Sequence, residues 1–315
     1  MRSKRWLLWA YPLILAACGG GVDYAPLRHP FENATLYQDR TSQAAGWAAG
    51  HDVAWLEPIT QTPQAVWLDS PDALADLPKD LAAAKEQNAL AVLVVYDIPN
   101  RDCSGQGAAS DQEYAAFVDR IAAAVQGFSV AFVLEPDAVA ADCFTPERAR
   151  LLASAIERLT AYAVYLDAGH PKWRTPDDMK SRLLDAGIAK AEGFAVNVAN
   201  RQSTQDSVAW GTLLSDRLGG REFVVDTSRN GLPAPPDDQW CNPAQEALGE
   251  RPAVTPGPDH VAAYLWIKRP GETDGACNGG PATGFWPQRA AQLVGGASWV
   301  DPQVRTAAGK FGAQR

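Results

Sequence analysis

Seven short apolar runs, rich in β-branched and small residues, recur through this chain at Ala65–Leu68, Ala91–Tyr96, Val130–Leu134, Ala161–Leu166, Gly193–Val198, Phe223–Val225 and Ala262–Ile267. No other feature limits the fold so strongly. A run that is apolar on both faces fits a parallel sheet covered by helices. Helix-like stretches lie between most of the runs, at Asp76–Gln87, Asp111–Val125, Pro146–Leu159, Pro176–Ala186 and Thr204–Leu218. In the second of these, Phe117, Ile121 and Val125 share one face with charge opposite. Pro146 and Pro176 stand near helix starts, where a missing N–H costs little. The alternation predicts an α/β fold, a distorted and incomplete parallel β/α barrel of about seven strands, in a single domain over residues 46–315. A doubly wound sheet is the alternative, but no G-x-G-x-x-G follows a strand.

The N-terminus reads as a targeting segment. Met1–Arg5 is basic, Trp6–Ala17 is an apolar run too short to span a bilayer, and Leu15-Ala-Ala-Cys18 ends it. That ending resembles the bacterial lipobox, in which cleavage leaves a cysteine that carries lipid. The expectation is a signal peptide at 1–17, lipid on Cys18, and a tether merging into the domain edge at 18–45. The protein would then be exported and anchored to the cell envelope through that lipid. Gly19 after the cysteine favours an outer membrane or the cell surface. Four cysteines are left, Cys103, Cys143, Cys241 and Cys277, and an even number in an exported chain implies two disulfides. Composition leaves all three pairings open. A zinc site is the rival, but no C-x2-C spacing supports it. The formal net charge of −9 argues against nucleic acid.

Polar and charged residues gather just past the strands. Tyr96, Asp97, Arg101 and Asp102 follow the second, Glu135 and Asp137 the third, Asp167 and His170 the fourth. Asn197 and Asn200 follow the fifth, Asp226 and Arg229 the sixth, and Lys268, Glu272 and Asp274 the last. A single strand-end acid is most simply a cap or a turn residue. Acids after five of seven strands would converge on one rim, where barrels keep their chemistry. The four His are dispersed, which leaves only a hard cation as a metal option, and no metal or cofactor is expected. Serine chemistry lacks a G-x-S-x-G elbow. Carboxylates without those partners suggest acid/base work on an acetal, that is, glycoside hydrolysis. The long Pro-rich stretch Gly231–Pro258 is of the kind that is usually functional.

Several stretches together resemble glycoside hydrolase family 6. They are Val94-Val-Tyr-Asp-Ile-Pro-Asn-Arg-Asp-Cys103, Leu134-Glu-Pro-Asp137, Tyr165-Leu-Asp-Ala-Gly-His-Pro-Lys-Trp173 and Asn197-Val-Ala-Asn200, then Val225-Asp-Thr-Ser-Arg-Asn-Gly231, Gln239-Trp-Cys241, Leu265-Trp-Ile-Lys268 and Glu272-Thr-Asp-Gly275. The resemblance runs from about Trp67 to Val294. It implies hydrolysis of β-1,4-glucan with inversion in a distorted barrel. Asp137 matches the general acid. Asp102 matches the neighbouring acid that raises the donor's pKa and helps organise water, since two close carboxylates cannot both ionise cheaply. Asp274 matches the proposed base, acting directly or through a water chain. Asp167, His170, Asn197, Asn200, Lys268 and Glu272 fall at substrate positions, and Tyr96 at a tyrosine lying against the distorted ring. Trp67, Trp173 and Trp240 match sugar-stacking platforms, where the alternative for any one Trp is core packing. The same pattern implies the pairings Cys103–Cys143 and Cys241–Cys277.

Loop lengths extend this reading. Two residues separate Asp274 from Cys277 and five separate Asp137 from Cys143, too few to roof a tunnel. An open groove and internal cleavage are expected, with a β-1,4-glucan or cello-oligosaccharide as partner and a monomer as the working state. The Gly-rich segment Ser104–Ser110 looks like the family's mobile loop, and the resemblance leaves open which of its serines positions water, with Ser110 as one candidate. The alternatives are a cellobiohydrolase-type or other β-glucan hydrolase using the same site, or a non-catalytic glucan-binding surface lipoprotein.

Overall fold

The run Ala91–Val95 is buried along its whole length, and Val130–Leu134 and Ala163–Asp167 are buried likewise. A strand with no solvent face must lie between two apolar layers, and the computed structural model, which describes residues 22–236, 239–254 and 260–313, supplies both. Its strands are β1 (Val66–Leu68), β2 (Ala91–Val95), β3 (Val130–Leu134), β4 (Ala163–Asp167), β5 (Gly193–Val196), β6 (Glu222–Asp226) and β7 (Val261–Leu265). They form one sheet of seven in sequence order, every neighbouring pair parallel. The leader at 1–17 and Cys18 lie outside the described residues. Among those residues, no helix is long and apolar enough to cross a membrane.

Side chains alternate between two cores because a strand's period is two. Leu93, Val95, Phe132, Leu134, Leu166, Phe194 and Phe223 pack outward against the helices. Val92, Val94, Ala131, Val133, Ala163, Ala195, Val224 and Ala263 point inward, and their small size lets the sheet curl tightly. The sheet is a barrel left incomplete between β7 and β1. The Ala65 amide donates to Trp266 O at 3.0 Å and Trp67 Nε1 to Ile267 O at 2.8 Å across that seam. A third core of Trp55, Leu56, Ile59, Trp266, Leu293 and Val294 backs it.

The sequence-based helix at Asp76 in fact begins at Pro71, capped by the Ser70 hydroxyl, and runs through Pro78 to Glu86. Helices Gln43–Ala49, Glu57–Thr60, Pro287–Gly296 and Pro302–Gly312 have no counterpart in the sequence reading. The segment at 22–37 crosses the end of the barrel where the strands begin. Phe31 is buried there with its ring 5.6 Å from that of Tyr165. The amides of Arg28 and His29 donate to buried Glu192, just ahead of β5, and His29 Nδ1 pairs with Glu222 at the start of β6.

Candidate active site

At the opposite end, where the strands finish, several residues adopt left-handed backbone that few side chains tolerate. Asp102, Glu135, Asp137, Asn197 and Ala199 have φ of 56°, 50°, 69°, 68° and 56°. Such conformations persist only where surroundings over-determine them, and they concentrate at functional sites. The ties are visible. The buried Asp226 carboxylate, closing β6, accepts from the amides of Ala199, Ser228, Ile267 and Lys268 and so binds together the tops of three strands.

Asp137 is the centre of one half of the rim. Its amide donates to Asp167 Oδ2 at 2.8 Å, and the Gly169 amide donates to the same oxygen at 3.0 Å. Asp137 Oδ1 is buried and makes no hydrogen bond among the described residues. Burial first, then the charges of Asp167 and Asp102, push the Asp137 pKa well above the ordinary carboxylate range. Burial raises Asp167 as well, against the pull of its two amides. Asp102 is exposed and accepts the Tyr96 hydroxyl on both oxygens at 2.7 Å. The Cys103–Cys143 disulfide ties its loop to the segment that follows Asp137. The result is a carboxyl group pushed toward its neutral form beside one that meets solvent.

Asp274 sits in a different field. Arg201 Nη2 reaches its Oδ2 at 2.6 Å and Arg229 Nη1 its Oδ1 at 2.7 Å, and the Asn242 amide adds a contact at 3.1 Å. Burial alone would raise this carboxyl, but Arg229, Arg201 and Lys268 outweigh it and hold its pKa well below the usual range. The network runs on into the protein, since Arg201 also pairs with buried Glu246, which takes Arg289 at 2.5 Å. The Cys241–Cys277 disulfide closes the loop that carries Asp274 against Asn242. Both disulfides are those the resemblance implied.

The family model for glycosyl hydrolases family 6 matches residues 28–297. The chain belongs to glycosyl hydrolase family 6. It is 42% identical over 285 residues to Endoglucanase A of Cellulomonas fimi, covering 86% of this chain and 63% of that protein's length. It is 35% identical to Endoglucanase 1 of Streptomyces halstedii, over 94% of this chain and 98% of that one. Among solved structures it is similar to the endoglucanase Cel6 from Mycobacterium tuberculosis in complex with methyl-cellobiosyl-4-deoxy-4-thio-β-D-cellobioside. There the TM-score is 0.79 at 37% identity, over 84% of this chain and 98% of that one.

Family 6 membership sets expectations that individual side chains meet unequally. Trp67 lies half-buried on the rim, edge-on to Tyr96 at 5.3 Å and beneath Lys268 Nζ at 5.8 Å, so one stack joins the Asp102 half to the Asp274 half. Trp240 is 61% exposed. Trp173 and His170 are half-buried with rings 5.5 Å apart. A Cβ at Gly169 would meet Ala140 Cβ at 2.8 Å and Trp173 at 3.2 Å, so only glycine lets this loop close. Glu272 is half-buried beside its neighbour Thr273, whose carbonyl Lys268 Nζ reaches at 3.4 Å. Asn200 is half-buried, and its amide nitrogen donates to Val198 O.

Three expectations are corrected. Asn197, expected at the sugar, is fully buried, with its amide spent on Gln202 and the Asp226 carbonyl, and it holds the loop. Asp167 is also fully buried and reaches the site through Asp137. Ser110 caps the helix Asp111–Ala124 by accepting from the Glu113 amide. The sequence reading did not anticipate Arg201, Glu246 or Arg289. Arg201 directly follows Asn200, and that adjacency was the one signal it offered.

Proposed function

We propose that this family 6 glycoside hydrolase is an inverting endo-β-1,4-glucanase. The observation that carries the reading is Asp137, a carboxyl kept protonated by burial and by two neighbouring acids at the end of a barrel strand. It donates its proton to the glycosidic oxygen while water attacks the anomeric carbon from the other face of the ring. Asp102 and Tyr96 hold the solvent side of that pair and help order water. Asp274 stays charged, and with both oxygens on guanidinium groups it is too weak a base to take the proton unaided. It acts as a fixed negative charge that orients the attacking water, whose proton leaves through solvent. Trp67, Trp173 and Trp240 supply faces for sugar rings, and Lys268 and Glu272 hydrogen bonds.

Exposed Asp102 and Trp240, and the short connection from Asp274 to Cys277, support an open groove and internal cleavage. The endoglucanase names of the relatives agree with this, and the thio-oligosaccharide in the Mycobacterium structure supports a β-1,4-glucan substrate. NMR of fresh digests of cello-oligosaccharides tests the mechanism. The α-anomer should appear first, and β-anomer first refutes inversion. The lipid on Cys18, export to the cell envelope and a monomeric state complete the proposal. They rest on the basic and apolar leader and its Leu-Ala-Ala-Cys ending, and are tested by lipid labelling, protease shaving of whole cells and gel filtration.

A further inference from the structure

Glu135 stands two residues before Asp137 but turns away from the cleft and is fully buried. Its two oxygens accept from the amides of Asp97 and Ile98, each at 3.1 Å. Arg148, near the start of the helix Pro146–Arg158 and 6% exposed, takes the next two backbone groups. Its Nη2 donates to Pro99 O at 3.1 Å and Asn100 O at 2.8 Å. Four consecutive residues, 97–100, are thus gripped through two N–H groups by an acid and through two carbonyls by a base. Burial lowers the Arg148 pKa, and Glu135 and Asp102 oppose that; burial also raises Glu135 to about 8, against the pull of the Asp97 and Ile98 amides and the Tyr114 hydroxyl.

The gripped segment leads directly into strained backbone, with φ of 56°, 56° and 55° at Asn100, Asp102 and Cys103. Strain of that kind relaxes unless both ends are fixed. The far end is held by the disulfide and the near end by this clamp. Glu135 is in turn rigid, because its amide extends the ladder to Val95 O at 2.8 Å and its carbonyl accepts from Ala138, just past the acid. One turn therefore carries both the proton donor and the anchor for the loop that brings Asp102 to it.

Building on the proposed acid–base role, we propose that Glu135 and Arg148 are positioning residues for the proton-donating step, setting the approach of Asp102 to Asp137 by clamping the backbone at 97–100. The pair touches no substrate. Its effect is on the geometry between two carboxyl groups, where displacement by an ångström is enough to cost about a hundredfold in rate.

The test uses the full mature chain and the variants Glu135→Gln, Arg148→Lys and Arg148→Met. A glutamine nitrogen has no lone pair for the amide it would face, so one grip is lost with little change of volume. Expected for Glu135→Gln and Arg148→Met is a fall in kcat on cello-oligosaccharides of about tenfold or more, with KM changed less than about twofold. The alkaline limb of the kcat–pH profile should move to lower pH, because a retreating Asp102 no longer helps keep Asp137 protonated. Hydrolysis of β-cellobiosyl fluoride, whose leaving group needs no proton, should fall much less. Arg148→Lys should recover part of the loss. A lowered melting temperature with an unmoved alkaline limb, or equal losses on both substrates, would overturn the positioning role. If Glu135→Gln does not accumulate, the two Arg148 variants decide by the same limb. A wild-type enzyme that releases the β-anomer first would instead overturn the proposed function itself.

Discussion

Replacing Asp274 with Asn separates two meanings of a lost activity. Arg229 is buried to 2% exposure and Asp274 is its carboxylate partner at 2.7 Å, while Arg201 keeps Glu246 after the change. The asparagine oxygen can still accept one hydrogen bond, so the main loss is charge pairing at Arg229. Breaking one side of a buried pair costs about 3–5 kcal/mol, and Glu246 and the retained oxygen place this case near 3. For a chain of 315 residues, about 3 kcal/mol corresponds to a fall in melting temperature of roughly 4–6 °C. The pH dependence has a definite sign. A carboxyl whose folded pKa lies below its unfolded value, about 3.9, stabilises above that value and loses its contribution as pH falls through the folded pKa. The gap between wild type and Asp274→Asn, followed by circular dichroism melts, should therefore be constant from about pH 5 to 8 and narrow below about 4. A melting temperature within a degree or two of wild type, with activity abolished, would refute the structural weight given to the Asp274–Arg229 ion pair and restore Asp274 as a direct base.

Three other outcomes follow from the same geometry. Asp137→Asn should lower turnover of carboxymethyl cellulose by about 10²–10⁴-fold, measured as reducing ends, with β-cellobiosyl fluoride spared in proportion. Asp102→Asn should move the alkaline limb of the wild-type activity profile down, because it removes one of the charges that raise Asp137; a limb that stays or rises would count against their coupling. Reducing the Cys103–Cys143 bridge, which spans a separation of 40 residues, should cost about 4 kcal/mol of stability by chain entropy, read from urea midpoints on the Cys103→Ser, Cys143→Ser double variant.

The barrel was legible because its strands are buried on both faces, so that runs such as Ala91–Val95 carry no competing helical period. Asp301-Pro302 is an equally legible helix start, since Asp301 accepts from Gln303 and Pro302 occupies the first turn, but no apolar strand follows it to complete the alternation. Strand-end acids located the rim, but a position in sequence does not say which way a side chain turns. Asn197 and Asp167 sit at the expected strand ends and are fully buried, directed inward by the loop's φ of 68° in one case and by the Asp137 and Gly169 amides in the other. The Arg201–Glu246–Arg289 pairs join three separate stretches of chain, and nothing in the spacing of charges records such a meeting. The pairing of the four cysteines came from family resemblance, because composition alone left three choices.

The way the chain enters the barrel has an orientational consequence. Residues 22–37 lie across the floor, pinned through Phe31, Glu192 and Glu222, while Asp137, Asp102 and Asp274 crown the other end. Any leash fastened ahead of residue 22 would pull on the floor and leave the crown pointing away from its mooring. An enzyme held that way would meet polymer from the open side, standing on its base like a cup.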